Sequence, residues 1–287
     1  MIDICNAIAE ATGKPQELIQ ERPLGGGCIN EAKCLQTTSG TWFVKLNSAA
    51  FAEIFAVEAE ALKELEQTQT IRVPQPITHG VSQGNAFLVL EYIEFGSPKP
   101  QSHAKAGQQL ADLHKHTAKQ YGWKHQNVIG STPQKNPLSD SWPEFYRDHR
   151  LGYQFDLAQR SGKTFAGQEE LLEQIREFFT DYTPEPSLLH GDLWGGNMNF
   201  DTEGNPVIFD PATYYGDRET DIAFTEMFGG FRKEFYEAYN QAWPLHPGYK
   251  IRKDLYNLYH YLNHHNLFGG GYAVTAQSLI DRLLRAL

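Results

Sequence analysis

Cysteine is scarce in this chain: three residues in 287, Cys5, Cys28 and Cys34, an odd set with no C-x-x-C spacing. That count opposes a disulfide framework and a structural zinc site, and reduced thiols are expected. Long hydrophobic runs are missing too. No stretch reaches the roughly eighteen continuous apolar residues of a membrane span, and Met1-Ile-Asp-Ile-Cys-Asn6 has no basic region ahead of an apolar segment. Neither secretion nor membrane insertion is therefore expected, and a cytoplasmic protein is. Positive charge is short as well, with 25 Lys and Arg against 35 Asp and Glu for a formal net charge of −10. Nucleic-acid binding needs a basic face, so no such partner is expected. Repeats and low-complexity runs are absent. Of the eleven histidines, His264 and His265 are adjacent and fall on different helix faces, which argues against a transition-metal site.

What is present concentrates in one stretch. His190-Gly-Asp-Leu-Trp-Gly-Gly-Asn197, followed by Val207-Ile-Phe-Asp-Pro-Ala212, fills every position of the template H-x-D-L-x-x-x-N plus a later Asp. In a kinase catalytic loop the first Asp accepts the proton of the acceptor hydroxyl, while the Asn and the second Asp hold magnesium. Asp192 is thus the candidate base, and Asn197 and Asp210 are the candidate metal ligands. Oxygen-bearing side chains suit a hard cation such as Mg²⁺. Pro206-Val-Ile-Phe-Asp210 behind the turn Thr202-Glu-Gly-Asn205 reads as one arm of a hairpin. Gly195 and Gly196 would let the loop turn tightly between base and ligand.

A kinase also needs a nucleotide site, and the N-terminal third carries its parts in order. Gly25-Gly26-Gly27-Cys28-Ile29-Asn30 lies between two candidate strands, as a loop over ATP phosphates should, although Asn30 stands where a third glycine would complete G-x-G-x-x-G. In Gly40-Thr-Trp-Phe-Val-Lys45-Leu, strand alternation puts Lys45 on the face of Phe43. A lysine at the end of such a strand pairs with the α- and β-phosphates and with a glutamate of the next helix. Helical phase selects that glutamate. Between Ala50 and Leu65 the apolar stripe is Phe51, Ile54, Phe55, Leu62 and Leu65, and Glu58 falls in its middle, whereas Glu53, Glu60 and Glu64 do not. A carboxylate there needs a cation, and Lys45 is the candidate.

Ala86 to Glu94 is an almost wholly apolar strand that runs into Phe95-Gly-Ser-Pro98. In a kinase this is the hinge, where the main chain of Glu91, Tyr92 and Ile93 would bind adenine; an edge strand entering a linker gives the same pattern. Helices are expected over 104–117, 168–179, 221–228, 233–242 and 254–267, and 127–140 reads as a surface loop. His114, on the apolar stripe of the first of these, reads as a hydrogen-bonded core histidine outside the chemistry.

Gly25-Gly-Gly-Cys-Ile-Asn30, Phe43-Val-Lys45, His190-Gly-Asp-Leu-Trp-Gly-Gly-Asn197, Asp210-Pro-Ala212 and Tyr215-Gly-Asp-Arg-Glu-Thr-Asp221 together closely resemble the fructosamine kinase (ketosamine 3-kinase) family, nearly end to end. The resemblance implies an α+β, bilobal, protein-kinase-like fold, shared with aminoglycoside and choline kinases. Residues 1–93 would form a small nucleotide-binding lobe with an antiparallel sheet and one main helix. Residues 94–287 would form a larger, mostly helical lobe with the catalytic loop and acceptor pocket. It implies ATP- and Mg²⁺-dependent phosphorylation of the 3-hydroxyl of a small-molecule or protein-bound ketosamine, a deglycation repair in which the phosphorylated adduct releases its amine. Trp194 would offer a flat face to the sugar or serve as a core aromatic. Asp217, Asn263, His264 and Phe268 become candidates for the acceptor pocket, and Asp221 for bracing the catalytic loop. A monomer is expected, with a redox-dependent dimer through Cys28, a dimerising position in the family. An aminoglycoside- or choline-type kinase and a non-catalytic kinase-like binding module are the alternatives. The second would be marked by loss of Lys45, Asp192 or Asp210, all of which are retained.

Overall fold

A computed structural model describes residues 1–25 and 30–287. Gly26, Gly27, Cys28 and Ile29, to which a phosphate-loop role was assigned from the sequence, lie outside the described residues.

The chain opens with helix α1 (Ile2–Thr12), whose Ile4 and Ile8, one turn apart, are buried. Gly13, at φ 68°, ends it by donating its N–H to Ala9 O, a conformation glycine adopts without strain. Strands β1 (Leu18–Leu24), β2 (Glu31–Thr37) and β3 (Gly40–Ser48) follow, then helix α2 (Ala52–Gln67), β4 (Pro76–Ser82) and β5 (Asn85–Glu91). They form one antiparallel sheet in the order β1-β2-β3-β5-β4. Alternation gives its two faces different work. Leu35, Val44, Phe87 and Val89 pack with Ile4 and Ile8 of α1 on one face. The register that pairs Cys34 with Phe43, Ala32 with Lys45 and Lys45 with Leu88 puts Lys45 on the other.

Next come α3 (Ser102–His114), the hairpin β6 (Asn127–Ile129) and β7 (Thr132–Gln134), α4 (Trp142–Tyr146), a π-helical turn Arg147–Gly152, α5 (Tyr153–Arg160), α6 (Gln168–Glu173), a 3₁₀ turn Ile175–Phe179 and β8 (Ser187–Leu189). A second hairpin, β9 (Met198–Phe200) and β10 (Pro206–Ile208), precedes β11 (Tyr214–Gly216) and helices α7 (Glu219–Thr225), α8 (Lys233–Ala242), α9 (Tyr249–Phe268) and α10 (Tyr272–Ala286). β11 pairs antiparallel with β8.

The chain forms two compact units, Met1–Ser102 with Met198–Pro211, and His103–Asn197 with Ala212–Leu287. The first therefore runs past residue 93 and takes in the β9–β10 hairpin, for which ion pairing and main-chain bonds are the reason. Arg72 donates to Asp201 at 2.9 Å and its carbonyl accepts from Ile208 N, while Gly96 N donates to Phe200 O. Residues 127–140 are not a surface loop either. Gln134 and Asn136 are fully buried, donating to Ala212 O and His125 O and both to Asn127 Oδ1. Buried amides of this kind persist because each finds a partner. No helix among the described residues is long and apolar enough to cross a membrane.

Candidate active site

In the first unit the geometry centres on Lys45. Its ammonium lies 2.6 Å from Glu58 Oε1 on α2 and 2.6 Å from Asp210 Oδ1, just past β10. The lysine is 5% exposed. Burial alone would lower its pKa, but the charges of Asp210 and Glu58 outweigh this and hold it above the ordinary lysine value. Burial raises Glu58, aided by the Asp210 charge and opposed by Lys45. One cation thus serves two carboxylates. Asp210 sits at φ 58°, rare for a residue with a side chain, and its neighbour Phe209 stacks on Phe95 with ring centroids 5.5 Å apart.

The sheet face that carries Lys45 also carries a recess of about 260 Å³ lined by Arg22, Cys34, Thr41, Tyr92 and Glu94 among others. Arg22 donates to Tyr92 Oη at 2.7 Å and lies over its ring. Of the three hinge candidates, Glu91 has its N–H engaged by Gln75 O and its carboxylate by Arg72. Tyr92 and Ile93 follow the strand and stand outside it. Asn30 accepts a hydrogen bond from Asn47 Nδ2 of β3 at 2.8 Å, which ties down the end of the glycine-rich segment. Cys5 and Cys34 are free and buried.

In the second unit the His190–Asn197 loop is held from below. Asp221, 2% exposed on α7, accepts His190 N–H at 2.7 Å and Gly191 N–H at 2.9 Å, one on each carboxylate oxygen. His114 Nε2 is 3.1 Å from the same carboxylate and its Nδ1 is 2.8 Å from Tyr239 Oη. A carboxylate only accepts, so Nε2 carries the proton and Nδ1 accepts from the tyrosine hydroxyl. Burial lowers His114 below the usual histidine range, although Asp221 opposes this. Burial tends to raise Asp221, but the His114 bond and the main-chain donors prevail and hold it below the usual carboxylate range. Gly191, at φ 82°, is obligatory: a Cβ there would lie 2.1 Å from Ala212 O.

Within the loop, Asn197 Nδ2 donates to Asp192 O and Oδ2 at 2.8 and 2.9 Å, and Asp192 N donates to His190 Nδ1. These bonds orient the half-buried Asp192 carboxylate. They leave Asn197 Oδ1, and likewise Asp210 Oδ2, without a hydrogen bond among the described residues, and both are hard oxygen donors of the kind Mg²⁺ takes. No group of three or more His, Cys, Asp or Glu side chains among the described residues could hold a metal ion. Gly196 matters for space and not for turning: its φ is not positive, and a Cβ would meet the Trp194 ring at 2.3 Å.

Two of the acceptor-pocket candidates lie in the interior. Asp217 is fully buried, with Oδ1 taken by Glu219 N–H and Tyr182 Oη and Oδ2 by Tyr256 Oη. Its carboxylate holds the main chain where α7 begins. Asn263, 2% exposed, bonds Gln154 and Ile129 O. Trp194, His264 and Phe268 remain open. Trp194, 37% exposed, meets the ring of Phe228 at 6.0 Å, and Phe228 meets His264 at 5.3 Å. Sequence analysis missed Phe228, whose only signal was an aromatic before the glycine pair 229–230. It also missed Arg252, whose Nε and Nη2 donate to Glu219 at 2.8 and 3.1 Å in the interior.

The sequence model of the fructosamine kinase family matches residues 1–286. A probable ketoamine kinase of Synechocystis sp. is 48% identical over 283 residues, covering 98% of this chain and 96% of that one. A chloroplastic protein-ribulosamine 3-kinase of Oryza sativa subsp. indica is 44% identical, covering 96% and 82%. A crystal structure from Haemophilus somnus 129PT, assigned provisionally as a fructosamine-3-kinase, superposes with a TM-score of 0.91 at 31% identity, over 98% of this chain and 96% of that one. The aminoglycoside phosphotransferase APH(4)-Ia, at 15% identity and a TM-score of 0.63, shares the fold alone.

Proposed function

This chain belongs to the fructosamine kinase family, and from that premise we propose that it transfers the γ-phosphoryl group of ATP to the 3-hydroxyl of a ketosamine. The observation that carries the reading is the convergence of Glu58 and of Asp210, 165 residues away in sequence, on the buried ammonium of Lys45. Lys45 positions the α- and β-phosphates, Glu58 keeps the lysine in place, and the main chain of Tyr92 and Ile93 takes the adenine. Asn197 and Asp210 would hold Mg²⁺, which would supply charge neutralisation to the phosphate oxygens. Asp192 accepts the proton of the 3-hydroxyl as that oxygen bonds to the γ-phosphorus and the bond to ADP breaks. The arrangement places and orients and forms no covalent intermediate with the chain. The product, a ketosamine 3-phosphate, carries its phosphate on C3 beside the C2 carbonyl; loss of a C1 proton gives the 1,2-enaminol, whose nitrogen lone pair expels the C3 phosphate, and hydrolysis of the resulting C1 iminium releases the amine, which makes the reaction a repair of glycated amines in the cytoplasm.

The test is incubation with ATP, Mg²⁺ and fructoselysine, with the adduct followed by mass spectrometry and the phosphate located by NMR. Phosphate at C3, absent with Asp192→Asn, supports the reading. An unmodified adduct alongside bound ATP overturns it.

A further inference from the structure

Two pairs of rings interlock in the second unit. Phe224 and Phe228 follow one another by four residues across the end of α7, and His260 and His264 do so on α9. Phe224 lies flat on His260, with centroids 3.5 Å apart and planes 2° from parallel, deep in the interior. The next rung, Phe228 on His264, reaches the surface, where Trp194 closes over Phe228 edge to face. Phe268 and Tyr272 flank His264 at 5.8 and 5.1 Å.

Three details indicate a built site. Phe228 is held at φ 54°, followed by Gly229 and Gly230 at 103° and 72°. An aromatic residue in the left-handed region is strained and persists only where its surroundings demand it. Yet the ring so held is 49% exposed, so core packing does not explain the strain. Next, His264 Nδ1 is 2.8 Å from the His260 carbonyl. A carbonyl only accepts, so Nδ1 carries the proton and Nε2 of the neutral ring presents a lone pair. Burial lowers His264 below the usual histidine range, the carbonyl bond opposing it, which keeps the ring neutral near pH 7. Finally, the acids of α7 and its two ends do not compete: Glu226 is engaged by Tyr249 and Lys253, Glu219 by Arg252, and Asp217 and Asp221 are buried and bonded elsewhere, which leaves Asp192, the base itself, two residues before Trp194.

We propose that Trp194, Phe228 and His264 form a recess for the protonated secondary amine of the ketosamine, with Phe228 as its specificity-determining residue. The inference rests on the function proposed above. Ring faces attract a cation, and a neutral His Nε2 accepts one of its N–H groups. The chemistry of the acceptor fits: its amine is joined through C1 and C2 to C3, so a 3-hydroxyl at Asp192 leaves the ammonium a few bonds away, near the ring two residues along the loop. A neutral aromatic wall beside an anionic base also favours the charged ketoamine over the free sugar.

The experiment compares two acceptors on wild type, Phe228→Leu and Phe228→Tyr: a fructosyl-alkylamine, charged at its amine, and the matching 1-O-alkyl ketose, of similar shape without charge. Leucine keeps apolar bulk and removes the ring. Its expected effect is a rise in KM for the amine of roughly 3- to 30-fold, the range for an exposed to a desolvated cation–ring contact, a change of less than about twofold for the ether, and restoration by tyrosine. KM does not depend on the fraction of protein that is folded, so a poorly folded variant cannot imitate this split. Equal shifts for both acceptors, or none, overturn the recess while leaving the kinase reading intact. A wild type that phosphorylates no ketosamine overturns both.

Discussion

Asp221→Asn isolates the brace beneath the catalytic loop. In the native protein its two oxygens take the N–H groups of His190 and Gly191, and one also takes His114 Nε2–H. The amide keeps the shape but loses the charge, and its NH₂ must face a donor. With the NH₂ toward Gly191 one N–H loses its acceptor, and with the NH₂ toward His190 and His114 two do, at about 1–3 kcal/mol each, so destabilisation of about 1–6 kcal/mol is expected, a large part of the roughly 5–15 kcal/mol that holds a domain. At about 2–4 °C per kcal/mol, Tm should fall by roughly 2–24 °C. Because the same bonds set the path of the main chain into Asp192, kcat should fall at least about tenfold in the protein that remains folded. Calorimetry and steady-state kinetics on one preparation give both numbers. His114→Leu supplies the cross-check, with a coupling of about 0.5–3 kcal/mol between the two sites in a double-mutant cycle. A variant within about 2 °C of wild type with unchanged kcat would refute the reasoning, since it would mean that main-chain donors at zero to few per cent exposure can lose a carboxylate at no cost.

Three further outcomes are expected. Asp192→Asn should nearly abolish turnover while nucleotide binding persists, as seen by fluorescence titration; retention of more than about a tenth of wild-type turnover sinks the base assignment. Glu58→Gln should lower kcat/KM for ATP by about 10- to 100-fold through looser placement of Lys45, which keeps Asp210 as a partner; an effect confined to the KM of the acceptor would contradict the role. His114, held neutral by burial, has a folded pKa below its unfolded value. Its contribution is present above the unfolded pKa of about 6.5 and is lost as pH falls, by at most about 2 kcal/mol between pH 7 and pH 5. Urea unfolding at the two pH values should show that loss, and His114→Gln should remove it.

Much of the first unit was legible because its signals are local. Strand alternation put Lys45 on the face of Phe43, and a seven-residue count from Phe51 put Glu58 on the inner side of α2, where the structure joins the two at 2.6 Å. That Asp210 also reaches Lys45 was not legible, because the template gave it a metal and nothing in the sequence measures its distance from β3. In the run from Tyr215 to Asp221 the brace at Asp221 was legible, but the placement of Asp217 was not: Asp217, Arg218, Glu219 and Asp221 are all buried. Their partners Tyr182, Tyr239, Arg252, Tyr256 and His114 come from other segments, and only tertiary packing makes a buried carboxylate affordable. His114 was recognisable as a core histidine from its helical stripe, but its work on Asp221 was not. The 127–140 hairpin was missed because its Gln, Asn and Pro content matches a loop. Burial of Gln134 and Asn136 depends on carbonyls that the sequence places far away.

Phosphate transfer measured side by side on fructoselysine, ribuloselysine, kanamycin and choline, with ATP and Mg²⁺ in common, tests the central claim most directly. The account predicts that kcat/KM for one of the two ketosamines exceeds that for kanamycin and choline by at least about a hundredfold, since a site that engages the acceptor's own polar groups rejects molecules lacking them. Equal or better transfer to kanamycin or choline would contradict it.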